Sequence, residues 1–81
     1  MERTIRPQDG WVAVAEGPGV ASIETPDRGL RWFPSFDPPA AGTPGFTLTA
    51  LELTPMSLDS GETLYLSGAG SVYVAAENPV T

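Results

Sequence analysis

Residues 61–76 read GETLYLSGAGSVYVAA, and how this stretch runs decides the fold. Apolar and polar side chains alternate on both sides of Gly68-Ala69-Gly70. A period of two marks strands with one buried face. Taking the triplet as a three-residue hairpin loop sets Ser67 opposite Ser71, Leu66 opposite Val72, Tyr65 opposite Tyr73 and Leu64 opposite Val74. Leu64, Leu66, Val72 and Val74 then make one apolar face. Thr63, Tyr65, Ser67, Ser71 and Tyr73 make the other. A cross-strand Tyr pair of this kind contributes about 0.2–1 kcal/mol.

The same alternation extends upstream. WVAVAE at 11–16 predicts a strand, Gly17-Pro18-Gly19 a turn, and 20–25 a second strand folded back on the first. Val12, Val14, Ala21 and Ile23 share the core face of that pair. Trp11, Ala13, Ala15, Val20 and Ser22 lie on the opposite face. Pro26-Asp27-Arg28-Gly29 predicts a turn before a third strand from Leu30 to about Phe36. Pro34 lacks a ladder donor, which assigns that strand to an edge or a bulge. Residues 37–45, DPPAAGTPG, predict a stiff connector crossing between sheets. FTLTALELT at 46–54 predicts a fourth strand ended by Pro55. Its apolar phase shifts at Ala50, which implies a bulge or a change of sheet. Met56 and Leu58 are expected in the following connection, over the open end of the core. Nine prolines leave no long window for a helix. The expectation is an all-β fold, a small antiparallel sandwich or barrel of about six strands built from hairpins. Residues 1–10 are expected as an extended N-terminal arm on a single domain spanning 11–81.

Composition excludes whole classes of chemistry. The 81 residues contain no cysteine, histidine or lysine, and four arginines face ten carboxylates for a net charge of −6. A Ser-His-Asp triad, a thiolate nucleophile, a Schiff-base lysine and a His- or Cys-ligated metal are therefore impossible. No enzyme activity and no cofactor are expected. A glycosidase needs two carboxyls flanking a cleft; Asp59 and Glu62 are close in sequence, but they flank a solvated polar turn. Asp27, Asp37, Asp59 and Glu62 are loop acids without calcium-loop spacing, so no metal is assigned. Gly68-x-Gly70 precedes no helix and is not a nucleotide loop. Arg3, Arg6, Arg28 and Arg31 form no basic patch, so neither nucleic acid nor an anionic membrane is an expected partner. No apolar run is long enough to span a bilayer. The N-terminus lacks the apolar core of a signal peptide, which predicts synthesis and use without export.

Binding residues are read from aromatics and loops. Trp32 and Phe33 are adjacent on one strand, so they point to opposite faces, and one of them faces a second layer, a partner or solvent. Phe36 adds a third ring. Thr4, Ile5, Arg6 and Pro7 of the arm, and Pro38 and Pro39 of the connector, are the other expected contacts. Tyr65 and Tyr73, side by side on the hairpin, suit a protein interface or a sugar platform. A small core without disulfides or metals gains most from association, so self-association is expected, a trimer being one such form. Charged residues make up only 17% of the chain, which fits a surface that neighbours cover.

The run from Gly61 to Ala76 resembles terminal hairpins of small virion proteins of tailed bacteriophages, the capsid decoration (cement) and head-tail accessory proteins. The chain is similar to them in being short, acidic, cysteine-free and rich in Gly and Pro. The resemblance implies a non-enzymatic virion component, made in the host cytoplasm. Its partner would be the major capsid protein or another virion protein. A tail or tail-fibre accessory protein and a small carbohydrate-binding module are the alternative expectations.

Overall fold

Four side chains anticipated on one face do enter the core together: Leu64, Leu66, Val72 and Val74 are at most 1% exposed. They do so on a single strand. In the computed structural model, which describes residues 1–80, residues Thr63–Ala76 form one continuous 14-residue strand, β7. Gly68-Ala69-Gly70 is a bend in that strand and not a hairpin loop. Parity explains why the face survives. Positions 64, 66, 72 and 74 stay in phase whether the chain reverses through three residues or runs straight on. The bend itself needs glycine. Gly68 has φ +117°, and the backbone of Gly29 occupies the place a Cβ would take.

The other strands are β1 (Glu2–Ile5), β2 (Val12–Glu16), β3 (Gly19–Glu24), β4 (Gly29–Ser35), β5 (Phe46–Thr47) and β6 (Thr54–Leu58). A 3-10 turn, Pro7–Asp9, joins β1 to β2. The resulting sheet is antiparallel, all-β as expected, and has seven strands curled into a half-barrel. β7 is its spine. Along one edge β1 pairs with residues 70–73 and β2 continues with residues 63–66. Along the other edge β3 pairs with residues 73–76 and β4 continues with residues 63–69. The bend divides the sheet into a first wing (β2, β4, β5 and the start of β7) and a second wing (β1, β3, β6 and the end of β7).

This topology corrects several expectations. β2 and β3 do not pair; the Gly17–Gly19 turn carries the chain from one wing to the other. Residues 26–29 do not reverse the chain, because β3 and β4 follow each other down one edge of β7. The connector at 37–45 does not cross between sheets; it joins β4 to its antiparallel neighbour β5. The expected strand at 46–54 is broken: Phe46–Thr47 form β5, Thr54 opens β6, and a turn at 50–51 between them accounts for the phase shift. Pro55, Met56 and Leu58 lie within β6. Ala15 is fully buried and not outward, because a bulge between Ala13 and Ala15 turns both Val14 and Ala15 inward. Residues 2–5 are extended, as expected of the arm, but they are an integral strand whose Ile5 is 2% exposed. Pro34 behaves as its chemistry requires. β5 pairs β4 only at Arg31 and Trp32, so Pro34 sits where β4 has an open outer edge.

The wings enclose one core of Ile5, Val14, Ala15, Ala21, Ile23, Leu30, Leu48 and Leu58 around the four β7 residues. The ends of β7 curl close enough to share a neighbour. Gly17 N–H donates to the Glu62 carbonyl (2.8 Å), Glu16 N–H to the Asn78 carbonyl (2.9 Å), and Val80 N–H to the Val14 carbonyl (3.0 Å).

Where β3 gives way to β4, the edge of β7 would lose its partner at Ser71. Side chains fill the gap. Ser71 N–H donates to Asp27 Oδ2 (2.7 Å), the Thr25 hydroxyl donates to the Ser71 carbonyl, and Asp27 N–H donates to Thr25 Oγ1 (3.0 Å). Thr25, the buried polar side chain of this region, is 1% exposed. An unpaired buried N–H costs about 1–3 kcal/mol, and the half-buried Ser71 N–H falls toward the lower end of that range. Asp27→Ala should therefore lower stability by about that amount in a urea melt. Asp27→Asn keeps an acceptor oxygen and should lose less.

Candidate docking surface

The two wings differ in how their outer faces are covered. On the first wing, β7, β2 and β4 place Ala13, Tyr65 and Phe33 in one outward row. Trp11, just before β2, lies over this face. Its ring centroid is 6.1 Å from that of Phe33, and the Arg31 guanidinium stands 6.0 Å above it. Gly45 (φ +62°) is the third contact, since a Cβ there would sit 2.6 Å from Trp11 Cη2. The Trp11 indole N–H is buried and has no hydrogen-bond partner among the described residues. Trp11, packed against Phe33 and Gly45, already serves as this wing's cover.

Among the described residues nothing comparable covers the second wing. Its outward positions follow from register: Val20 beside Ser57, then Ser22 between Pro55 and Ala75, then Tyr73 between Glu24 and Glu2. Val20 is 57% and Tyr73 56% exposed, and Leu53, at the margin, is 59% exposed. A shallow groove of about 690 Å³ runs between Val20, Leu53, Pro55 and Ala75. Leu51, the residue that borders the Tyr73 end, is 79% exposed and has φ +64°. Its N–H donates to the Thr25 carbonyl (2.8 Å), which holds the turn in this left-handed conformation. Contiguous apolar exposure of this kind marks a contact surface.

The residues expected to bind are scattered. Ile5 is in the core, so of the four arm residues expected to bind only Thr4, Arg6 and Pro7 reach solvent. Trp32 packs against the core and Phe33 faces outward beneath Trp11, which answers the question their adjacency posed. Phe36 is 62% exposed and lies near Gly61, at the far end of β4. Pro38 is exposed and Pro39 half-buried in the connector. Tyr65 and Tyr73 are not neighbours. They sit eight residues apart on one strand, one on each wing, so the side-by-side platform is not formed. Asp59 and Glu62 cap their own turn: Asp59 N–H donates to Glu62 Oε1 (2.9 Å). Among the described residues no three acids are grouped to hold a metal.

The groove residues were partly visible in the sequence. Val20 and Ser22 are placed on the outward face by alternation alone. Leu51 and Leu53 are signalled by their break of phase with Phe46 and Leu48. Their joining into one surface depends on β6 pairing with β3, which local sequence does not encode. Comparison with protein-family models, with curated proteins and with solved structures finds no match to this chain.

Proposed function

We propose that the domain is a non-enzymatic structural component of a bacteriophage virion, a capsid decoration protein that docks through the outer face of its second wing. The observation that carries the reading is the contrast between the wings: one outer face covered by Trp11, the other with exposed apolar side chains that no described residue covers. The virion setting comes from the resemblance of residues 61–76. A small half-barrel suits this task because the sheet offers a rigid face at little entropic cost on docking. Many copies on one shell, each bound weakly, act together through their common attachment.

The experiment is sedimentation of the purified protein alone and with emptied shells of the phage that encodes it. The protein should pellet with shells and raise their melting temperature. A monomer that stays in the supernatant would sink the proposal. A tail accessory would use the same face, so co-sedimentation with tails and not with shells would replace the capsid by the tail as its site.

A further inference from the structure

We propose that the outer face of the second wing receives a protein segment carrying an aliphatic side chain next to an arginine or lysine. The aliphatic group rests on Val20, Leu53, Pro55 and Ala75, and the cation lies between Glu2 and Glu24 against Tyr73. The inference rests on the reading that this face docks a partner, not on which particle supplies it.

Position and charge carry the argument. Val20, Leu51, Leu53 and Tyr73 all lie on or beside this one face, and they are four of the six large hydrophobic side chains exposed among the described residues. Tyr73 is directly opposite Glu2 on one side and Glu24 on the other. Side chains in such a row are ~4.5–5.5 Å apart at Cβ. Two carboxylates therefore flank one phenol ring. The ring's negative face attracts a cation, and the carboxylates accept its hydrogen bonds. Leu51 stands at the edge of this subsite, its backbone fixed to Thr25.

The chain's own cation on β1 is occupied elsewhere. Arg3 Nη1 donates to the Val80 carbonyl (2.7 Å). Glu77, at the apolar end of the groove, is anchored by the Val20 N–H (3.1 Å) and adds a third negative charge. A second copy is a poor occupant. A two-fold contact sets the same surface against itself, which brings the face carrying Glu2, Glu24 and Glu77 onto an equally acidic face of a second chain of net charge −6. A partner with a basic residue beside an apolar one meets both halves of the face.

The test is a titration of the isotope-labelled protein with the blocked dipeptide acetyl-Leu-Arg-amide, followed by backbone amide shifts. Acetyl-Leu-Gln-amide and acetyl-Leu-Glu-amide are the controls. The expected shifts fall on residues 20–24 and 73–77, with the arginine peptide binding about fivefold more tightly than the glutamine one. The double variant E2Q/E24Q alters two exposed side chains and should keep its spectrum while losing that preference. Equal response to all three peptides, shifts confined to the first wing, or no shifts overturns the proposal. Movement of the same amides on concentrating the protein alone would also overturn it, because a second copy would then be the occupant. The titration needs no virion particle, so its failure and a failure to bind shells are separate results.

Discussion

Gly68→Ala should destabilise the domain by about 2–6 kcal/mol and shift its urea midpoint accordingly. Two costs combine at this position. A φ of +117° is one that L residues rarely adopt, at a cost of about 1–3 kcal/mol. The new methyl would also meet the Gly29 backbone, which is already fixed by pairing with Ala69, and forcing an extra carbon into a packed site costs about 1–3 kcal/mol. Neither cost can be relieved locally. Gly29 is the first residue of β4, and moving it shifts the strand that lines half of the first wing. Gly42→Ala is the control, because an added Cβ there meets nothing within 4 Å. It should change stability by no more than about 0.5 kcal/mol. Equal midpoints for the two variants would show that β7 does not bend where the glycines are.

The same glycines mark the boundary of what sequence could reveal. Strand alternation was legible because burial imposes it residue by residue. Leu64, Leu66, Val72, Val74, Val14, Ala21 and Ile23 were all placed on the core face by period alone, and all are buried. Chain direction was not legible. A Gly-x-Gly triplet serves equally as a hairpin loop or as a bend, and the parity of the flanking residues is the same for both. What selects the bend is pairing with β1 and β3 on one side of it and with β2 and β4 on the other. Those partners lie up to about seventy residues away, beyond any local signal. Pro26-Asp27-Arg28-Gly29 misled for a related reason. Its turn chemistry is real, but Asp27 and Thr25 direct it to the backbone of Ser71, so the chain kinks and continues. The candidate surface followed the same rule. Single outward residues such as Val20 were readable; the face they share with Pro55 and Ala75 required the topology.

Deleting residues 1–9 should abolish cooperative folding, although these residues read as a docking arm from the sequence. β1 covers one edge of the second half of β7. The Met1 ammonium donates to the Val74 carbonyl (2.9 Å), Val74 N–H returns a bond to the Met1 carbonyl (2.7 Å), and Arg3 ties β1 to the Val80 carbonyl (2.7 Å). Ile5 lies in the core at 2% exposure. Loss of that side chain alone, in Ile5→Ala, should cost about 2–5 kcal/mol. A domain of this size has a total stability of roughly 0.05–0.15 kcal/mol per residue. Over 81 residues that is about 4–12 kcal/mol, so the point variant removes a large share of it, whereas the deletion removes Ile5, the β1 ladder and the closing contact at Val80 together. It also bares an apolar strand edge, which favours aggregation. Near-ultraviolet circular dichroism and a thermal melt would show this as a lost tertiary signal and no sigmoidal transition. A truncated protein that melts cooperatively within a few degrees of the parent would return residues 1–9 to the status of an arm. The distinction matters for any binding experiment. If the deletion unfolds the domain, loss of shell binding on truncation says nothing about contacts, and only surface substitutions such as E2Q/E24Q can map the docking face.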